Sequence, residues 1–207
     1  MNKGRLFILS GPSGSGKDTI LSKIFEKHPE IAFSISSTSR DIRPGEVEGG
    51  KYHYISKAEF ESLIENDMLL EYNCFCDNYY GSPKAPVLEA VEKGQDIILE
   101  VDVNGAANVR AAMPEAISIF IMPPSFEVLR DRLIKRNTDS PEKIASRLKT
   151  ALCEIERADE FDYIIINDDL DTAVEECLSV ILSTRFTVDK RKYIIDEVLN
   201  NAKSCNW

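Results

Sequence analysis

The most informative stretch of the sequence is residues 6–18, which read Leu6-Phe7-Ile8-Leu9-Ser10-Gly11-Pro12-Ser13-Gly14-Ser15-Gly16-Lys17-Asp18. Its first four residues are apolar, as in a strand buried on both faces, and the glycines that follow end that strand. A helical pattern then covers residues 17–27. A glycine-rich turn between a strand and a helix presents backbone N–H groups beside the positive end of the helix, which is an arrangement that binds phosphate. We therefore predict a phosphate-binding loop at residues 11–17.

The residue after the loop lysine departs from the usual pattern. A Ser or Thr at that position supplies a hydroxyl to Mg²⁺, whereas this chain has Asp18, followed by Thr19. A carboxylate is also a hard oxygen ligand, but it adds negative charge beside a nucleotide's phosphates. Asp18 and Thr19 are therefore both candidate metal ligands, and the sequence leaves open whether either one binds directly or through water. Lys17 is expected to reach the β- and γ-phosphates.

Further strand and helix patterns alternate along the chain. Three more apolar runs suit interior strands, and a helical segment follows each of them. The runs are residues 97–101, 117–121 and 163–166, and the helical segments are residues 105–113, 125–136 and 170–182. Repeated strand–helix units predict an α/β core, with a parallel sheet flanked by helices on both faces.

Residues 36–93 have a different character. They contain Arg-Pro-Gly turn chemistry, two helical patterns and short aromatic-rich strands at residues 51–55, 68–75 and 79–81. We interpret this segment as an inserted α+β lobe. The chain after residue 184 is predicted to form one extra helix with a frayed end.

A basic segment follows the third apolar run. Residues 130–149 hold seven basic and three acidic residues. Arg132 and Arg136 are four residues apart and share one helix face, and Arg147 lies on a second helix beyond a short polar break. Taken alone, these residues would suit a solvated helical hairpin. Converging arginines also suit a lid that closes over a phosphoryl group during its transfer.

The composition restricts the class of protein. The chain has 207 residues and a net charge of −10, with 43% hydrophobic and 29% charged residues. This acidic balance argues against a nucleic-acid binder that works through a general basic field. We find neither a membrane-spanning run nor a signal peptide, and we expect a cytoplasmic protein. The five scattered cysteines are expected to be small buried side chains, not a zinc site. The oligomeric state is not indicated.

Together with the loop, several motifs in order resemble the guanylate kinase family over about residues 5–184. They are Ser36-Ser37-Thr38-Ser39-Arg40-Asp41-Ile42-Arg43-Pro44-Gly45-Glu46, Gly50-Lys51-Tyr52, Leu70-Glu71-Tyr72, Asn78-Tyr79-Tyr80-Gly81-Ser82, Leu99-Glu100-Val101-Asp102-Val103-Asn104-Gly105, Pro123-Pro124-Ser125 and Ile166-Asn167-Asp168-Asp169-Leu170. The resemblance implies an enzyme that uses ATP and Mg²⁺ to phosphorylate GMP, and also dGMP, by in-line transfer. It implies a P-loop NTPase core, a GMP-binding lobe and a helical lid.

The resemblance also implies a division of the chain and a set of site residues. The core comprises residues 1–35, 94–125 and 158–184, the GMP-binding lobe residues 36–93, the lid residues 126–157, and a C-terminal helical extension residues 185–207. The implied ATP-binding residues are Gly11, Pro12, Ser13, Gly14, Ser15, Gly16, Lys17, Asp18, Thr19, Asn167 and Asp168. The implied GMP-binding residues are Ser36, Arg40, Arg43, Tyr52, Glu71, Tyr80, Ser82 and Asp102. The implied catalytic residues are Lys17, Arg132, Arg136 and Arg147, and Asn137 replaces the glycine that usually follows the second lid arginine.

Chemistry supports the two main parts of the implied GMP site. Arginine forks pair bidentately with phosphate, which suits Arg40 and Arg43 beside Tyr52 and Tyr80. Guanine presents its N1–H and exocyclic amine side by side, and the carboxylate of Glu71 would accept from both. Adenine has an acceptor at N1, so Glu71 would repel it.

Two alternatives remain at the level of sequence. A ribose 1,5-bisphosphate kinase often has Asp after the loop lysine, as at Asp18, but it would not need Glu71, Tyr80 and Ser82. A non-catalytic guanylate-kinase-like interaction domain usually has an eroded phosphate loop, whereas Lys17 is present here.

Overall fold

The computed structural model describes residues 3–75, 77–135 and 140–204, and it contains two sheets. The strands are β1 (Leu6–Ser10), β2 (Ala32–Phe33), β3 (Ser36–Thr38), β4 (Tyr52–Tyr54), β5 (Leu69–Phe75), β6 (Asn78–Pro83), β7 (Ile97–Glu100), β8 (Ile117–Met122) and β9 (Tyr163–Ile166). The helices are α1 (Lys17–Lys27), α2 (Lys57–Glu65), α3 (Lys84–Glu92), α4 (Val103–Ala112), α5 (Phe126–Lys135), α6 (Pro141–Ile155), α7 (Leu170–Ser183) and α8 (Val188–Ser204).

The larger sheet has the strand order β2-β7-β1-β8-β9, and every pairing in it is parallel. The carboxyl ends of its strands therefore lie along one edge, where the loop after β1 and the start of α4 after β7 meet. The smaller sheet has the order β4-β3-β6-β5 and mixes parallel with antiparallel pairs. The predicted α/β class with a parallel sheet is confirmed.

Helices cover both faces of the larger sheet. Successive strand side chains point to opposite faces. Phe7 and Leu9 accordingly pack in one apolar cluster with α1 and α7, while Leu6 and Ile8 pack in a second cluster with α3 and α4. Burial on both faces explains why the sequences of these strands are continuous apolar runs.

Strand β9 differs from its predicted place in the sheet. We expected its apolar run to lie in the interior, but β9 is an edge strand that pairs only with β8. Ile165 is buried, whereas Tyr163, Ile164 and Ile166 are exposed. The prediction was wrong because an apolar run shows that a strand forms and does not show how many neighbours it has.

The cysteines also differ in part from expectation. Cys177 is buried in α7, as predicted, but Cys74 and Cys153 are exposed free thiols. The prediction of burial was wrong for these two because it rested on residue type and not on the face that each occupies. Cys76 and Cys205 lie outside the described residues.

The segment predicted to form the lid is described on both sides of residues 136–139. Helix α5 ends at Lys135, and α6 begins after Ser140, whose Oγ accepts a hydrogen bond from the backbone N–H of Lys143. Arg136 and Asn137 lie outside the described residues. The extra C-terminal helix is present as α8. Within the described ranges, no helix has the length and apolar character needed to cross a bilayer.

Candidate active site

The loop between β1 and α1 depends on glycine at several positions, of which Gly11 and Gly16 are the most restricted. Gly11 and Gly16 have φ values of +142° and +95°, which side-chain-bearing residues rarely adopt. A Cβ added to Gly11 would lie 2.4 Å from the carbonyl oxygen of Ile121, and one added to Gly16 would lie 2.2 Å from Nδ2 of Asn167. Gly16 is also the N-cap of α1, so the loop curls directly into the positive end of that helix.

Lys17 folds back over the loop. Its Nζ donates to the carbonyl oxygens of Gly11 at 2.5 Å and Pro12 at 3.2 Å. Burial lowers the pKa of Lys17, and the carboxylates of Glu100 and Glu154 oppose that shift. Because its hydrogen bonds are to neutral carbonyls, Lys17 can turn to a phosphate oxygen without losing a direct ion pair.

An ion network joins the loop to the neighbouring lobe. Lys51, just before β4, pairs with Asp18 on α1 and lies 3.0 Å from Oε2 of Glu100 at the end of β7. Burial lowers the pKa of Lys51, but Glu100 and Asp18 raise it more, so that it lies above its usual range. Sequence reasoning did not select Lys51, although the residue lies within one of the quoted motifs.

Glu71 lies in a buried pocket of the smaller sheet. Its side chain is on β5, the residue is 9% exposed, and Oε1 accepts a 2.6 Å hydrogen bond from Oγ of Ser82 on β6. Burial raises the pKa of Glu71 to about 7, the Ser82 hydroxyl opposes the rise and the charge of Asp102 adds to it. The Oγ atoms of Ser36 and Ser82 are 3.5 Å apart. These residues make a compact polar pocket.

Asp102 connects that pocket to the core. Its Oδ1 accepts the backbone N–H of Gly105 at 2.8 Å and so caps α4, and its Oδ2 accepts from Nδ2 of Asn73 at 3.4 Å. Asn73 was not among the predicted site residues. Its contribution depends on the packing of β5 against α4, which a single-sequence pattern does not reveal.

The predicted phosphate clamp is only partly assembled. Arg40 makes a bidentate pair with Glu46, at 2.6 and 2.7 Å, and its guanidinium lies 5.2 Å from the ring centroid of Tyr52. The rings of Tyr52 and Tyr80 are 6.0 Å apart and edge to face. Arg43 is exposed, and its backbone N–H donates to the same Glu46 at 2.9 Å. The carboxylate of Glu46 therefore holds both arginines' segments in place.

One cleft of about 350 Å³ brings the loop and the smaller sheet together. The predicted residues that line it are Gly11, Ser13, Gly14, Gly16, Lys17, Asp18, Ser36, Tyr52, Glu71, Tyr80 and Asp102. The cleft is also lined by Lys51, Asn73, Gly81, Glu100, Val101 and Glu154. The cleft thus joins a phosphate loop to a pocket containing a buried carboxylate.

A second cleft, of about 410 Å³, lies where α5 approaches the loop and the end of β9. Arg132 donates to the carbonyl oxygens of Asn167 at 2.8 Å and Ser15 at 3.4 Å, and the Asn167 side chain donates to Ser15 at 2.7 Å. Asp168 and Thr19 line this cleft, so Thr19 borders a different cleft from Asp18.

The remaining predicted residues occupy other places. Pro12 and Ser15 are buried within the loop, Ser82 is buried beneath Glu71, Arg40 borders a third cleft, and Arg147 is half-buried on α6. Arg136 cannot be placed because it lies outside the described residues. Among residues 3–75, 77–135 and 140–204, no cluster of three or more His, Cys, Asp or Glu side chains could hold a metal alone.

Glu154, in the last turn of α6, is the least expected member of the first cleft. Its side chain lines that cleft together with Ser13 and Lys17 and interacts electrostatically with both. Burial raises its pKa, the charge of Lys17 opposes the rise and that of Asp102 adds to it. The sequence does not single out Glu154, because residues 150–182 contain ten acidic residues and one basic residue.

Comparison with known proteins agrees with this geometry. The family model described as guanylate kinase matches residues 3–184. The chain is 41% identical to a guanylate kinase of Desulfitobacterium hafniense, with 95% of this chain and 98% of that protein covered, and 52% identical to one of Gloeobacter violaceus, with 83% of each covered. A crystal structure of guanylate kinase from Anaplasma phagocytophilum superimposes with a TM-score of 0.75 at 31% identity, covering 90% of this chain and 89% of that one.

Proposed function

The chain belongs to the guanylate kinase family and catalyses the ATP-dependent phosphorylation of GMP, and we propose how its own residues carry out this transfer. The observation that carries the proposal is the single cleft shared by the phosphate loop and the Glu71 pocket. An oxygen of the GMP phosphate forms a bond to the γ-phosphorus as the bond from that phosphorus to the β,γ-bridging oxygen breaks. ADP leaves with the electron pair, and no general base is required because the acceptor phosphate is already ionised.

Glu71 is proposed to read the guanine base. As a carboxylate it would accept from N1–H and from the exocyclic amine, with Ser36, Ser82 and Asp102 completing the pocket. Support comes from the Ser82 hydroxyl, which orients the Glu71 carboxylate, and from the burial of that carboxylate. A buried acceptor without a donor is costly, so adenine would leave this group unsatisfied.

The acceptor phosphate is proposed to bind between the two tyrosines and the two arginines. Tyr52 and Tyr80 line the cleft and can donate their hydroxyls. Arg40 and Arg43 would add charge from the segment that Glu46 holds. Arg40 would then bind Glu46 and the phosphate at the same time, which is possible because a guanidinium has five N–H donors.

The donor phosphates are proposed to bind the loop. The N–H groups of residues 11–17 would surround them, and Lys17 would move from the loop carbonyls to the β- and γ-phosphates. Asn167 and Asp168 would lie on the adenine side, in the second cleft. Arg132, with Arg136 and Arg147 from the lid, would stabilise charge on the transferring phosphoryl oxygens.

Mg²⁺ is proposed to enter with ATP. In kinases, Mg²⁺ is usually bound by one or two carboxylates together with phosphate oxygens and water. The cleft suits such a site, because the described residues include no cluster of three or more side chains that could bind the ion without phosphate. The carboxylate of Asp18 lines that cleft and would bind the ion directly or through water; Thr19 remains the alternative hydroxyl. When bound, Mg²⁺ neutralises phosphate charge.

Use of dGMP, the division of the chain into regions, and its location and partners are predictions. Acceptance of dGMP follows from a pocket whose named contacts concern the base and phosphate and not the ribose 2′-hydroxyl. The division into core, GMP-binding lobe, lid and C-terminal extension, the cytoplasmic location and the lack of nucleic-acid binding remain expectations from the sequence. The oligomeric state is open.

The experiment that tests this proposal follows product formation with ATP and GMP while EDTA removes divalent ions. We expect the rate to fall to background and to return when Mg²⁺ is added in excess. In parallel, Asp18→Asn should raise the Mg²⁺ concentration needed for half-maximal rate by about tenfold over the wild type. Thr19→Val should raise that concentration less. Undiminished turnover in EDTA, or a larger effect at Thr19, would refute the metal assignment.

A further inference from the structure

Glu154 provides an anion that touches the phosphate loop from outside it. Helix α6 ends beside the cleft, and the Glu154 side chain lines that cleft together with Ser13, Gly14, Gly16 and Lys17 of the loop. The N–H groups of this loop bind phosphate in the proposed reaction. The ammonium of Lys17, which is expected to move to the phosphates, is also electrostatically coupled to this carboxylate.

One carboxylate oxygen of Glu154, Oε2, is buried and has no hydrogen-bond partner among the described residues. Such an atom raises the free energy of the folded state unless something else offsets it. The loop N–H groups and the nearby Lys17 charge provide that offset, because an anion-binding loop attracts any carboxylate that can reach it.

We propose that Glu154 is a resident anion on the phosphate loop, which the phosphates of ATP must displace when they bind. The proposal rests on the assignment of ATP to this loop. The Glu154 carboxylate and the ATP phosphates are both negative and would lie close together beside the loop and Lys17. Their repulsion in a partly desolvated cleft weakens nucleotide binding. Glu154 is therefore a positioning residue that sets donor affinity.

Displacement of Glu154 has a consequence for the lid helix. Arg147 precedes Glu154 by seven residues, which is two helical turns, so both lie on the same face of α6. A nucleotide that drives the carboxylate away from Ser13 also shifts the helix that carries Arg147. Nucleotide binding and the placement of a lid arginine would thus be coupled through one side chain.

The test compares Glu154→Gln with the wild-type protein by calorimetric titration of MgATP, inorganic pyrophosphate and GMP. Glutamine keeps the size and an acceptor oxygen but removes the charge. We expect MgATP and pyrophosphate to bind about fivefold more tightly, with the Kd for GMP unchanged. Glu156→Gln is the matched control because it removes the same charge two residues away, from an exposed side chain outside the cleft.

The outcomes separate this inference from the proposed function. Equal or weaker MgATP binding by Glu154→Gln, or the same tightening in Glu156→Gln, would overturn the resident-anion role. Hydrogen exchange of α6 amides should change on MgATP addition in the wild type and change less in Glu154→Gln; equal changes would overturn the coupling to the lid. Failure of wild-type protein to phosphorylate GMP would instead refute the function itself.

Discussion

At the scale of single residues, Glu71 shows a conflict between stability and recognition. Its carboxyl is buried, and burial raises its pKa to about 7 from a usual value of 4.5. Between these pH values the ligand-free folded state holds a proton that the unfolded state has released. Stability from this group is therefore complete below about pH 4.5 and is lost as the pH rises through about 7. The guanine-reading role that we propose for Glu71 needs the charged form, so that role would come at the expense of stability.

Glu71→Gln should increase the stability of the ligand-free protein at pH 8, because it replaces a buried charge by a neutral group of the same shape. We expect the Tm to rise by about 4 °C at pH 8, with a much smaller change at pH 4.5. Thermal unfolding followed by circular dichroism measures both. An equal shift at the two pH values would show that the buried charge is not the cause.

The same substitution should impair use of GMP. We expect kcat/KM for GMP to fall about 100-fold, while the KM for ATP changes less than about threefold. In the wild type, the KM for GMP should also rise as the pH falls below about 7, since Glu71 gains a proton. Initial rates from pH 5.5 to 8.5 provide the measurement. Because the GMP phosphate also titrates, Glu71→Gln serves as the reference, and identical pH profiles would contradict the assignment.

At the scale of elements, the loop between β1 and α1 ties backbone conformation to a distant contact. Gly16→Ala should destabilise the protein by more than about 2 kcal/mol, because it combines a positive φ with a clash against Asn167. Gly45→Ala is the control, since its φ is +87° and an added Cβ would meet no described atom within 4 Å. That variant should lose only about 1 kcal/mol. Urea unfolding of both proteins tests this, and equal losses would remove the steric argument.

Helix α5 carries Arg132, a proposed lid arginine whose side chain donates to the carbonyl oxygen of Ser15 in the loop. Arg132→Met should lower kcat about 1,000-fold and leave the KM for GMP within about threefold, if its charge stabilises the transition state as we propose. Arg130→Met is the control on the same helix, where an exposed arginine pairs with Asp131. Similar rates for the two variants would contradict the proposed role of Arg132.

Elements and site residues differed in how far the sequence could predict them. The strand, the loop and α1 were predictable because their signals lie within residues 6–27. Lys51 and Asp18 are 33 residues apart, and Glu154 interacts with Ser13 from a different helix, so neither interaction has a local signal. The edge position of β9 was missed for the same reason: it depends on which strands neighbour it.

At the scale of the whole molecule, the positive charge is unevenly distributed along an acidic chain. The chain carries −10 overall, yet residues 130–149 hold seven basic and three acidic residues. Lys17, Lys51 and Arg132 border the two clefts on either side of the loop. An acidic protein can thus bind phosphorylated substrates through a few local cations, even though five carboxylates also line the first cleft.

The central claim is that the cleft selects a guanine nucleotide as acceptor, and the most direct test is ADP release from ATP with different acceptors. Initial rates should be measured with GMP, dGMP, AMP and ribose 1,5-bisphosphate in separate reactions. We predict turnover with GMP and dGMP, a kcat/KM for AMP at least about 1,000-fold lower, and no turnover with the sugar bisphosphate. No turnover with GMP, or a preference for AMP or ribose 1,5-bisphosphate, would contradict the account.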